Sequence, residues 1–166
     1  DMEEILKRRG IPLFSLESRR PLKDFDIIGF TLQHELSYTN ILNILNLAKI
    51  PLRSQNRDGK FPLIIAGGPS ASNPEPLADF IDAFVLGDGE EVIEEIVEIY
   101  KSRSSSDSSE RLNRGSGILK ALAKIPGVYV PSLYEVNYRE DGTIERMGRK
   151  EAGIPERIEK RVADLE

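Results

Sequence analysis

Apolar and polar positions follow two rhythms along this chain, and the change from one to the other marks its elements. Between Pro62 and Tyr100 the change happens twice. The apolar runs Leu63-Ile64-Ile65-Ala66 and Ala83-Phe84-Val85-Leu86 each enter a glycine turn, and each turn leads into a segment with helical spacing. Short continuous apolar runs read as strands buried on both faces, and strand, turn and helix in repetition is the grammar of a parallel α/β sheet. The expected fold is therefore α/β, a parallel sheet with helices on both faces.

The rest of the chain extends that pattern. Asp1-Met2-Glu3-Glu4-Ile5-Leu6 reads as a first helical turn, with acids at the positive end of the dipole, Ile5 and Leu6 facing a core and Gly10 as the stop. Because residue 1 is Asp and the helix begins at once, the chain is expected to start inside a larger protein. Ile11 to Leu16 reads as an edge strand with a proline, Ser18 to Lys23 as a polar turn, and Asp26 to Thr31 as a buried parallel strand. Ser37 is placed to cap a helix from Tyr38 to Ala48 whose apolar face is Tyr38, Ile41, Leu42, Leu45 and Ala48, widened by Ile44 and Leu47. Its amides Asn40, Asn43 and Asn46 form either a weakly polar surface row or a docking face.

Arg53 to Lys60 reads as a polar loop around Asp58-Gly59. Asn73, Pro74 and Glu75 predict a short helix through Phe80, followed by a strand from Ile81 to Leu86. Asp88 and Glu91 have the spacing of a capping box for a helix burying Val92, Ile93, Ile96, Val97 and Tyr100. The serine-rich stretch Ser102 to Gly117 predicts a mobile loop, and Ile118 to Lys124 a short helix. Val128 to Val130, Leu133 to Tyr138 and Thr143 to Met147 read as strands, the last two forming a C-terminal β-hairpin around Asp141-Gly142. From Pro155 onward only Ile158, Val162 and Leu165 keep helical spacing, too thin a stripe for a helix, so this part is expected to be a linker or docking segment.

Composition narrows the function. With 166 residues, 39% of them hydrophobic, one domain with a real core is expected. A formal charge of −5 with scattered Lys and Arg argues against a nucleic-acid partner; the clusters Lys7-Arg8-Arg9 and Arg19-Arg20 read as solvated surface. No apolar run is long enough to cross a bilayer and no signal-peptide core is present, so a cytoplasmic location is the default expectation. The absence of cysteine excludes thiolate nucleophiles, Cys-ligated zinc and iron–sulfur clusters from this chain.

The candidate chemistry gathers where open α/β sheets hold ligands, at the carboxyl ends of the strands. It comprises Thr31, Gln33 and His34 after one strand, Gly67, Gly68, Pro69 and Ser70 after the next, and Gly87, Asp88 and Gly89 after the third. The glycines either permit tight strand-to-helix turns or let backbone approach a ligand. Glu90 and Glu91 oppose a phosphate at the helix start, and G-x-G lacks the third glycine of a dinucleotide fingerprint. With a single histidine no Ser/His/Asp set is legible, no metal-ligand cluster stands out, and no residue is assigned a catalytic role.

Several of these motifs resemble a known family. Ile65-Ala66-Gly67-Gly68-Pro69, Pro74-Glu75-Pro76-Leu77, Asp82 and Val85-Leu86-Gly87-Asp88-Gly89-Glu90-Glu91 resemble the signatures of cobalamin-binding-type domains that precede radical SAM cores. Leu13 to Ser18, Asp26 to Phe30 and Pro126 to Pro131 resemble one branch, related to the YgiQ-type Fe–S oxidoreductases. The resemblance implies a Rossmann-like or flavodoxin-like accessory domain over residues 1–150, an upstream first strand and helix, and a linker at 151–166 toward a radical SAM catalytic domain. The [4Fe–4S] cluster and S-adenosylmethionine are then expected only in that catalytic domain, which is the implied partner. An exposed sheet edge left without its neighbour can pair with a second copy as a homodimer.

The family's cobalamin loop, D-x-H-x-x-G, is absent: around His34 the chain has Leu32 for the Asp and Ser37 for the Gly. The leading expectation is an accessory domain that docks on or caps its catalytic core and carries no cofactor. The alternative is a working cobalamin- or nucleotide-binding module at the carboxyl edge. A free-standing enzyme lacks recognisable acid, base and nucleophile.

Overall fold

A computed structural model of the chain describes residues 1–57, 59–104 and 114–163. It is an α/β, Rossmann-like fold with a C-terminal hairpin. Helix α1 (Met2–Arg9) leads to strand β1 (Ile27–Thr31), helix α2 (Tyr38–Leu47), strand β2 (Leu63–Gly67) and strand β3 (Ala83–Val85). Helices α3 (Glu90–Ser104) and α4 (Arg114–Leu122) follow, then β4 (Val128–Tyr129) and the pair β5 (Tyr134–Tyr138) and β6 (Ile144–Arg149). The main sheet has the order β1-β2-β3-β4.

Its first three strands are parallel, with Gly29 opposite Ile65, Thr31 opposite Gly67, and Ile65 opposite Ala83. The fourth strand, β4, whose direction the sequence left open, runs antiparallel with Phe84 opposite Tyr129. Among the described residues α3 and α4 lie between β3 and β4, and the chain returns in the opposite sense. Ile64, Ile65 and Ala66 on β2 and all of Ala83 to Val85 on β3 are buried, so both faces of the central strands are covered. On β1, by contrast, Gly29 and Thr31 are exposed.

Local chemistry explains the elements. Asp1 caps α1 by accepting the Glu4 N–H at 2.9 Å, and Gly10 ends it at φ 67°. Leu6 is buried as expected, but Ile5 is 42% exposed and does not face the core. Helix α2 buries Tyr38, Ile41 and Leu45; Ser37 does not cap it, because its Oγ donates to the His34 carbonyl at 2.7 Å. Asn43 donates to Glu3 at 3.1 Å, which binds α2 to α1 and removes the middle amide from any docking row.

Ile11 to Leu16 contributes only a bridge between Phe14 and Pro21, not a strand, and the helix expected through Phe80 is a 3₁₀ turn at Glu75–Leu77. Helices α3 and α4 reach into the serine-rich stretch from both sides. Asp58, residues 105–113 and Leu165 lie outside the described residues. Asp141 closes the hairpin by accepting both the N–H and the hydroxyl of Thr143, contacts that hold its carboxyl below the usual range.

A buried ion pair locks the amino end of the sheet. Arg57, whose side chain is 3% exposed, donates to Asp82 at 2.9 Å and to the carbonyls of Pro51, Leu52 and Phe80 at 2.9, 2.8 and 2.7 Å. Asp82 in turn accepts the Ile64 N–H of β2 at 2.7 Å. Burial pushes the Asp82 carboxyl up, against the opposing pull of Arg57 and the Ile64 amide.

Candidate functional site

A cleft of about 730 Å³ opens on one face of the sheet at the carboxyl ends of β1 to β3. Its floor follows from register: Gly29 and Thr31 lie beside Ile65 and Gly67, with Val85 beyond, all on the same side of the pleat. Ile93 of α3, 43% exposed, forms a wall, and the Gly67-Gly68-Pro69 and Gly87-Asp88-Gly89 turns form the lip. Two small floor positions, Gly29 and Gly67, leave room above the sheet, and the lining is mixed, with Ile65, Val85 and Ile93 beside Thr31, Ser72, Asp88, Glu90 and Lys160.

Seven of the sequence-derived candidates line this cleft: Thr31, Gly67, Gly68, Pro69, Gly87, Asp88 and Gly89. Gln33, His34 and Ser70 do not. Gln33 and His34 are exposed, and the His34 carbonyl is taken by the N–H and hydroxyl of Ser37. Ser70 is held by the fold itself, its N–H donating to Leu32 and its carbonyl accepting the Tyr38 hydroxyl at 3.1 Å. Leu32, fully buried, donates back to Gly67, so the end of β1 and the glycine turn are zipped together. Gly29, Ile65, Val85, Ile93 and Lys160 were not among the candidates; they come into the cleft through register and through the path of the C-terminal segment.

That segment changes the meaning of the second glycine turn. Arg161 forms a parallel bridge with Gly87: its N–H donates to Leu86 at 2.8 Å and its carbonyl accepts from Asp88 at 3.0 Å. The Asp88 carboxylate, expected to cap α3, instead accepts the Ala163 N–H at 3.0 Å. Gly87 has φ 103°, and a Cβ there would lie 2.0 Å from the Arg161 carbonyl oxygen; at Gly127 it would lie 2.9 Å from the Arg161 Cβ. Both glycines therefore admit the close approach of the chain's own backbone. The Arg161 guanidinium bridges Glu91 at 2.6 Å and Glu95 at 2.9 Å, and those carboxylates raise its pKa further.

The electrostatics do not favour an anion. Asp88 and Glu90 stand at the lip against one lining cation, Lys160, and the neighbouring Arg161 is spent on α3. Among the described residues no group of three His, Asp or Glu side chains is arranged to hold a metal. On the far side of the Pro74–Phe80 turn, the Tyr129 hydroxyl donates to Glu75 at 2.7 Å, and burial raises the phenol well above the ordinary tyrosine value. Among the described residues no helix is long and apolar enough to cross a membrane.

Comparison with known proteins gives this geometry a context. The chain is 35% identical over 80 residues to an uncharacterised protein of Methanocaldococcus jannaschii, an alignment covering 48% of this chain and 16% of that protein. The chain thus spans a small part of that relative's length. No solved structure matches it significantly. Residues 1–131, from α1 through β4, match the family described as radical SAM proteins, N-terminal, and the chain belongs to that family.

Proposed function

We propose that this domain is a non-catalytic accessory module that docks on, and caps, the catalytic core of a radical SAM protein through the carboxyl edge of its sheet. The observation that carries the reading is the pairing of the family match over residues 1–131 with an open cleft at the carboxyl edge, walled by the exposed Ile93 and bordered by the two glycine turns. Cluster and S-adenosylmethionine chemistry belongs to the partner domain, since this chain has no cysteine. The closer kinship to cobalamin-binding-like and YgiQ-related proteins fits the strand-turn motifs Gly67-Gly68-Pro69 and Gly87-Asp88-Gly89. The free edge of β1 supplies the surface through which two isolated copies pair.

The test is calorimetric titration of this chain with the separately produced catalytic portion of its parent polypeptide. Saturable binding is expected, weakened by Ile93→Glu in the cleft wall and unchanged by Leu16→Glu on a remote exposed position. Absence of binding, or equal loss from both substitutions, refutes docking through the cleft.

The second reading, a cobalamin- or nucleotide-binding module, rests on the cleft's volume and its glycine floor. Titration with hydroxocobalamin followed by gel filtration separates the two. Retained corrinoid supports the module, and a spectrum altered by His34→Ala makes His34 a ligand to cobalt. Colourless protein supports the accessory domain.

A further inference from the structure

The contact between Arg161 and the Gly87 turn has the features of a recognition site and not of a passing chain. It is a strand addition: backbone donors and acceptors of Leu86 and Asp88 are exchanged with Arg161, and Ala163 is gripped by the Asp88 carboxylate. Its floor is cut to backbone dimensions by Gly87 and Gly127, where side chains would collide with the occupant. The occupant's identity is read by two carboxylates from one face of α3, Glu91 and Glu95, both on the same guanidinium nitrogen of Arg161. On either side of that residue specificity is loose: Val162 is 78% exposed, and Lys160 points to the cleft.

We infer that the slot between Leu86–Asp88 and Gly127 is a binding site for an extended basic peptide, and that the segment Ile158–Ala163 is its built-in ligand. Backbone exchange fixes the strand direction, the two glycines fix the depth, and Glu91 with Glu95 requires a cation at the central position. A seated strap also places Lys160 at the cleft, so occupancy of the slot and the composition of the cleft change together. The site goes beyond the accessory-domain reading and does not depend on it.

The experiment opens the slot within the full 166-residue chain. Arg161→Glu sets a third carboxylate against Glu91 and Glu95 and expels the strap. A fluorescein-labelled peptide with the sequence of residues 156–163 is then titrated and followed by anisotropy. It is expected to bind the Arg161→Glu chain at least about tenfold more tightly than the unaltered chain, whose slot is filled, and to lose about tenfold or more when its own central arginine is replaced by glutamate.

The second measurement is exchange of the Asp88 amide, which donates to the Arg161 carbonyl. It should accelerate in Arg161→Glu and regain protection when Glu91→Lys and Glu95→Lys are added to swap the charges. If the glutamate variant does not fold, Arg161→Ala replaces it in the peptide and exchange measurements. No peptide binding by a folded variant, equal binding of both peptides, or an Asp88 amide indifferent to the substitutions overturns the inference.

Discussion

Replacing Arg57 by methionine tests the buried ion pair at the amino end of the sheet. The substitution removes a guanidinium that is 3% exposed and serves Asp82 together with three carbonyls from two separate segments. Among the described residues Asp82, 10% exposed, keeps only the Ile64 N–H and is left as a buried charge without a counter-ion. The pair itself is not a large stabiliser, because desolvation offsets attraction and Arg57 Nε is buried without a partner. Breaking it is a different matter, costing about 3–5 kcal/mol. For a chain of this size that corresponds to a fall in Tm of roughly 6–20 °C.

The loss must depend on pH. Burial already raises the Asp82 carboxyl above its unfolded value, and removing the cation raises it further. A carboxyl raised in the folded state favours folding below its unfolded pKa and loses that contribution as pH rises through its folded pKa. The destabilisation by Arg57→Met is therefore greatest at neutral pH and shrinks as the solution is acidified. Urea unfolding followed by circular dichroism across this range measures both quantities. The double variant Arg57→Met/Asp82→Asn should lose less than the sum of the singles. A cost below about 1 kcal/mol at neutral pH, or one unchanged by acidification, refutes the reasoning.

Gly87→Ala forces the Arg161 backbone out of its slot and should cost about 1–3 kcal/mol in urea unfolding, with faster exchange of the Asp88 amide. Tyr129→Phe removes the hydroxyl that meets Glu75 and should cost about 1.5–3 kcal/mol by thermal melting. In the unaltered chain, ultraviolet titration should find the Tyr129 phenol still protonated well above the ordinary tyrosine pKa of about 10. Leu45→Ala, at a fully buried position on α2, should cost about 2–5 kcal/mol in the same unfolding assay.

What was legible in the sequence was local. The apolar runs ending in Gly67 and Gly87 announced β2 and β3, because a strand buried on both faces has nowhere to place polar residues. Asp141-Gly142 announced the hairpin because its turn chemistry is contained in a few residues. The direction of β4 was not legible, since Val128-Tyr129-Val130 carries no sign of whether its partner runs parallel or antiparallel.

Long-range pairings were hidden for the same reason. Arg57 lies 25 residues from Asp82 in a polar loop, and Arg161 lies 70 residues from Glu91 in a charged run that reads as a linker or docking segment. The glycine turns were found, but not what approaches them. At Gly87 that is the chain's own backbone, a fact available only once the C-terminal segment is seen to return. His34 pointed the other way: its proximity in sequence to β1 suggested a site, yet the zipped Leu32–Ser70 turn leaves it outside the cleft.

The uneven covering of the sheet has a dynamic consequence. β3 is buried throughout and β2 at its three central residues, whereas β1 is an edge strand with Gly29 and Thr31 open to solvent. Local opening of β1 therefore requires less free energy than opening of the centre, and its amides should exchange through smaller fluctuations than those of β2. One side of the cleft is thus compliant and the other stiff. A partner settling on this face would gain rigidity chiefly in β1, so that strand's exchange rates are the natural gauge of whether the face is occupied.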